Sequence, residues 1–156
     1  MIELSHVSKT YAPRFGRSAR ALDDVSLRVG AGEVVGLSGP ADAGKSTLLS
    51  LVAGHEPPTS GSVRIDGIEP RQFVEREGVA YLPNPLALPG RWRVADALTR
   101  LALLSGVRAE YTRQRVDAVM RELGLYDDRR SRLKALSHDA YVRLGLAQAI
   151  LADRRV

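Results

Sequence analysis

The 156-residue chain contains no cysteine, which excludes disulfides and thiolate metal sites. It is poor in aromatics, at 5%, with one tryptophan. No apolar run approaches the roughly eighteen residues of a membrane span. The first residues, Met1-Ile2-Glu3-Leu4-Ser5, carry no basic segment followed by an apolar stretch, so no cleaved signal peptide is expected. Lysine is also scarce: only Lys9, Lys45 and Lys134. The net charge of +5 is therefore carried by arginine, scattered along the whole chain and paired only at Arg129-Arg130 and Arg154-Arg155. Zinc-finger spacing, aromatic stacking motifs and basic heptads are all missing. The arginines thus read as a solvated surface, and no nucleic-acid partner is expected. A cytoplasmic protein is expected, unless a partner holds it at a membrane. The length favours one domain with a real core.

What is present is a phosphate-binding pattern. Gly39-Pro40-Ala41-Asp42-Ala43-Gly44-Lys45-Ser46-Thr47 satisfies G-x-x-x-x-G-K-[ST] in full. Val34-Val35-Gly36-Leu37 before it reads as a buried strand, and Leu48, Leu49, Leu51 and Val52 after it read as a helix. Strand, loop and helix in that order aim backbone N–H groups and a helix N-terminus at a phosphate. Lys45 would reach the β- and γ-phosphates, and the Ser46 hydroxyl would ligate Mg²⁺. A chance glycine-rich turn would not need both flanks.

Further strands are expected at residues 2–7, at 25–29 (where Val25, Leu27 and Val29 alternate with polar residues), at Ser62–Ile65 and at Val79–Leu82. Ala12 to Ala19 and Pro57 to Gly61 read as loops, and Asp66-Gly67 as a turn. The phosphate-loop helix is expected over Lys45–Ala53, stopped by Gly54. Beyond Pro89-Gly90 the spacing turns helical. One helix carries Val94, Ala97, Leu98, Leu101 and Leu104. A second carries Val116, Val119, Met120 and Leu123, and a third runs from about Asp139 to Ala152.

This ordered series resembles the nucleotide-binding domain of ATP-binding-cassette (ABC) transporters over nearly the whole chain. The likeness rests on Ala21-Leu22-Asp23-Asp24-Val25-Ser26-Leu27, Gly32-Glu33-Val34-Val35-Gly36-Leu37, the phosphate loop, Leu51-Val52-Ala53-Gly54, Pro58-Thr59-Ser60-Gly61-Ser62-Val63 and Asp66-Gly67. The later half, with Ala80-Tyr81-Leu82-Pro83 and Arg143 to Asp153, looks most like the exporter subgroup with ABC-2-type permeases. The resemblance implies an α/β fold: a P-loop NTPase core with an N-terminal antiparallel β portion and an α-helical subdomain. It divides the chain into a β-rich part with the P-loop (1–85), a helical subdomain (86–138) and a helix after the signature (139–156). ATP and Mg²⁺ are the implied cofactors. The implied partners are a separate transmembrane permease and a second ATP-binding subunit, the same or different. The implied location is the inner face of the cell membrane. Tyr11 falls where the family stacks an aromatic on adenine, and Asn84 where the family has Gln or Glu near Mg²⁺ and the γ-phosphate.

Three departures shape the expected activity. Ala41-Asp42 replaces Asn-Gly in the loop and brings a carboxylate near the phosphates, so weaker nucleotide binding is expected. Leu136-Ser137-His138-Asp139-Ala140 replaces the signature Leu-Ser-Gly-Gly-Gln, losing both glycines and gaining an acid. Like charges ~4 Å apart at an effective dielectric of ~20 repel by up to about 4 kcal/mol. The segment reads equally as a helix cap formed by Ser137 or Asp139 and as a weakened signature. Third, the strand ending in Asp-Glu, which the resemblance assigns to metal and water, is not found before Arg154-Arg155-Val156, nor is the histidine that follows it. The expectation is a cassette lacking its C-terminal core strands. It would bind nucleotide with little or no hydrolysis, and no residue is assigned a catalytic role. The rivals are a hydrolysis-deficient partner of a competent subunit and a non-functional remnant.

Overall fold

The computed structural model describes residues 1–12, 18–83 and 86–151. Two compact units divide the chain, Met1–Val79 and Ala80–Val156. Asn84 and the terminal Arg154-Arg155-Val156 lie outside the described residues.

The first unit is built on a three-stranded antiparallel sheet in the order β2-β1-β3, with β1 Ile2–Tyr11, β2 Ala19–Val29 and β3 Ser60–Ile65. Leu4 faces Leu27 on one side and Val63 on the other. Strict alternation from Leu4 would turn His6 inward and Val7 outward. Instead the register shifts between Leu4 and Val7, and His6 takes a left-handed φ of 51°. Val7 is thereby returned to the core with no exposed surface. Across the ladder Asp24 does the same in β2, at φ 50°, so Leu22 and Val25 both face the core although three positions apart. The His6 and Asp24 side chains pair at 2.8 Å, and each backbone N–H is met by a serine of the opposite strand, Ser26 and Ser8. The sheet buries its apolar face under Leu48 and Leu51 of α1, Lys45–Val52. A short helix, α2 at Pro70–Arg76, begins with proline in its first turn and buries Phe73.

Two expected strands are not formed. Val34–Leu37 and Val79–Leu82 lack strand structure, and no described strand pairs with either. A strand needs a neighbour to take its N–H and C=O groups. Unpaired, the Val34 segment shows its apolar side chains, and Val34 is 97% exposed.

The second unit is helical: α3 Val94–Leu104, α4 Ala109–Glu122 and α5 His138–Leu151, with single 3-10 turns at Asp127–Arg130 and Leu133–Ala135. Val94, Leu98, Val119, Met120, Leu125 and Leu144 form its core. Arg143 of α5 donates to the carbonyls of Leu123 and Gly124, at 3.1 and 2.8 Å, and so ties off the end of α4. At Gly145 a Cβ would lie 2.5 Å from Leu82 Cδ1, so a larger residue there would oblige the Leu82 side chain to shift. The Tyr141 hydroxyl donates to the Leu86 carbonyl at 2.5 Å. Among the described residues no helix is long and apolar enough to cross a membrane.

Candidate nucleotide site

Loop residues 39–44 lead directly into α1. Gly44 is the N-cap, with φ 80°, and it makes no side-chain cap bond. A Cβ at Gly44 would stand 2.3 Å from the Ala21 carbonyl oxygen and 2.8 Å from Leu22 Cδ2, both in β2. Only glycine satisfies that angle and that approach together. Asp42 is also left-handed, at φ 62°, a conformation aspartate accepts better than most residues. Inside the loop the Ala43 N–H reaches the Pro40 carbonyl at 3.4 Å, and the first helical bond runs from the Leu48 N–H to the Gly44 carbonyl at 2.9 Å. The N–H groups of Lys45, Ser46 and Thr47 precede that bond and have no partner within the helix. No acidic residue stands in the first turn of α1. The partial positive charge of the helix end is therefore not offset from within the helix.

Lys45 folds back over the loop. Its ammonium donates to the carbonyls of Gly39 and Pro40 at 2.8 and 2.5 Å. Those contacts hold a cation against the loop that leads into a helix N-terminus, an arrangement suited to an anion. Ser46 is exposed at the helix start, as is Asp42 in the loop.

Tyr11 ends β1 in the same unit. Its hydroxyl donates to Glu56 Oε1 at 2.6 Å, and the Lys9 ammonium lies 5.2 Å from the ring centroid. Lys9 also bonds Glu56 Oε2 at 2.8 Å and the Pro57 carbonyl at 2.7 Å. The hydrogen bond to Glu56, with burial, raises the Tyr11 phenol above its ordinary value, while the Thr47 hydroxyl of α1 works in the opposite direction. Burial pushes the Glu56 carboxyl up, but the hydrogen bonds from Lys9 and Tyr11, with the charge of Lys9, leave it below the usual range. Lys9 and Glu56 escaped the sequence reading because they stand 47 positions apart and carry no motif.

In the helical unit, the Ser137 hydroxyl accepts the Ala140 N–H at 3.2 Å, and the Ser137 carbonyl accepts the Tyr141 N–H at 2.9 Å. Ser137 therefore caps α5. Asp139 does not: its carboxylate turns along the helix to Arg143 at 2.9 Å and is 79% exposed. Leu136 is half-buried against the core, His138 is exposed and Ala140 is buried. No group of three His, Asp or Glu side chains able to hold a metal occurs among the described residues.

The profile of the ABC transporter family matches residues 22–156. The chain belongs to the ABC transporter family. This cassette is 37% identical over 148 residues to the taurine import ATP-binding protein TauB of Burkholderia pseudomallei, covering 94% of the chain and 55% of the relative. It is 35% identical over 162 residues to the methionine import ATP-binding protein MetN of Myxococcus xanthus, covering 100% and 49%. To the uncharacterized ABC transporter ATP-binding protein YxlF of Bacillus subtilis it is 31% identical, covering 97% and 48%. The cassette thus spans about half the length of the curated relatives it matches. Among solved structures, a dimeric bacterial ABC transporter cassette superposes with a TM-score of 0.85 at 23% identity, covering 99% of this chain and 71% of that one. The same cassette in a post-hydrolysis state bound to ADP and Pi gives the same values. These likenesses establish the P-loop α/β fold with its antiparallel N-terminal sheet and helices. The exporter subgroup gains no support from these relatives, two of which are named for import.

Proposed function

We propose that the cassette is part of an ATP-binding subunit of a transporter, with residues 39–47 as its nucleotide phosphate site and Tyr11 as the platform for the base. The observation that carries this reading is the Lys45 ammonium, held over the loop carbonyls at the bare start of α1. The loop fits a polyphosphate: it offers N–H donors and one cation, and Lys45 can exchange its carbonyl partners for phosphate oxygens. Stacking of a base on an aromatic contributes on the order of 1–3 kcal/mol in nucleic-acid binders. Magnesium would arrive with the phosphates and take the Ser46 hydroxyl as its protein ligand; among the described residues no acidic cluster competes for it. Bound there, Mg²⁺ would neutralise phosphate charge.

Leu136 to Ala140 are proposed to face the γ-phosphate of a second subunit through the capped start of α5, a reading supported by the dimeric form of the similar bacterial cassette. A membrane permease is the further partner, with the cassette at the inner membrane face. The direction of transport we propose follows the taurine and methionine relatives, which import. For these 156 residues the proposed activity is nucleotide binding. Limited proteolysis with and without MgATP tests the reading. Protection by MgATP in the parent chain and none in Lys45→Ala is expected. Equal protection of both would remove the loop from the site.

A further inference from the structure

The phosphate loop explains Lys45, but it leaves unexplained a second lysine that is largely withdrawn from water. The Lys9 side chain is only 12% exposed. We propose that Lys9 and Glu56 are positioning residues that hold the Tyr11 ring as a one-faced platform for a nucleotide base. This rests on the reading of Tyr11 given above.

The geometry fixes the ring at three points. The backbone of Tyr11 is paired with Ala19 in the sheet. Its hydroxyl is spent on Glu56 Oε1 at 2.6 Å. One face is occupied by the Lys9 ammonium, 5.2 Å from the centroid. Lys9 is itself immobilised, between Glu56 Oε2 at 2.8 Å and the Pro57 carbonyl at 2.7 Å. Glu56 thus meets the phenol through Oε1 and the ammonium through Oε2.

The segment that carries Glu56 is stitched to the same end of β1 by the backbone. The Thr59 N–H donates to the Ser8 carbonyl at 2.9 Å, and the Thr10 N–H donates to Thr59 Oγ1 at 3.0 Å. An aromatic on a strand end would ordinarily rotate and would have to be ordered when a ligand binds. Here that ordering is already done. Tyr11 remains 40% exposed. With its hydroxyl and one face engaged, what it offers a ligand is the other face. A cation on the far face draws electron density through the ring and favours stacking of an electron-rich base.

The test compares ATP with inorganic tripolyphosphate, which has no base, on the full 156-residue chain. Dissociation constants are measured by calorimetry for the parent, Tyr11→Ala, Lys9→Met, Lys9→Arg and Glu56→Gln. Lys9→Met and Glu56→Gln are expected to weaken ATP about five- to tenfold, the scale of one stacking contact, while tripolyphosphate stays within about twofold. Lys9→Arg is expected to restore most of the ATP affinity. A parallel loss of both ligands would show that the pair supports the loop and not the base, and would overturn the proposal. So would unchanged ATP affinity in both variants while Tyr11→Ala weakens ATP alone, a result that leaves Tyr11 as the platform. If Tyr11→Ala leaves the ratio of ATP to tripolyphosphate affinity unchanged, the reading of Tyr11 itself fails, and the positioning proposal with it.

Discussion

Asp139 faces Arg143 one turn along α5, carboxylate to guanidinium at 2.9 Å. This carboxylate is thus committed along its own helix and is not the cap, a role that Ser137 fills. Arg143 carries more of the structure than Asp139 does, because it also closes the end of α4. Arg143→Met is expected to destabilise the helical unit by about 1.5–3 kcal/mol, the range for hydrogen bonds to a charged group. Asp139→Ala removes an exposed i,i+4 pair and should cost less than about 0.5 kcal/mol. Urea denaturation monitored at Trp92, which packs against the same core, measures both. Equal losses would contradict this division.

Gly44 is tested by adding a single methyl group. Gly44→Ala would place a Cβ 2.3 Å from the Ala21 carbonyl oxygen in a left-handed residue. A loss of about 1–3 kcal/mol is expected in the first unit, together with weaker binding of any anion at the loop. Gly32 also has a positive φ, of 74°, but nothing lies within 4 Å of its Cβ position. Gly32→Ala serves as the control and should cost less.

Asp42 sits in the loop with its carboxylate exposed. Asp42→Asn keeps a residue that tolerates left-handed angles and removes the charge. Tighter ATP binding is expected, with a gain that shrinks as salt is raised, since part of it is screened repulsion. Weaker binding would mean that the carboxylate supports the loop.

Glu56 supplies a pH dependence whose sign follows from its partners. Its carboxyl is held below the ordinary value of 4.5. A group lowered in the folded state stabilises it above the unfolded value and loses that contribution as pH falls through the folded value. The first unit should therefore weaken as pH drops below about 4.5, and Glu56→Gln should flatten that part of the curve. Thermal melts from pH 6 down to 3 on both forms measure the difference.

The turn before α1, α1 itself and the three helices of the second unit were legible because their signals are local. A fixed spacing marks the loop, and apolar residues three and four apart mark the helices. Val94–Leu104 was read to the residue. The strands were harder. β2 was read only from Val25 because Asp24 breaks the alternation, and the paired bulges at His6 and Asp24 become visible only across the ladder. Val34–Leu37 was read as a strand because its apolar run is strong, but a strand also needs a neighbour, which a local pattern cannot supply. α2 was missed because it has seven residues and a single buried side chain, Phe73, although Pro70 after Glu69 was an available start signal. The Lys9–Glu56–Tyr11 cluster depends on a contact between β1 and the segment after α1, which no spacing encodes.

The account turns on Lys45 as the phosphate contact. Titration of MgATP into the parent chain and into Lys45→Ala, at matched salt and followed by calorimetry, tests it most directly. The account predicts measurable binding to the parent and at least a tenfold loss in the variant, about 1.4 kcal/mol. Equal affinity of the two forms, or no binding by a folded parent, would contradict it.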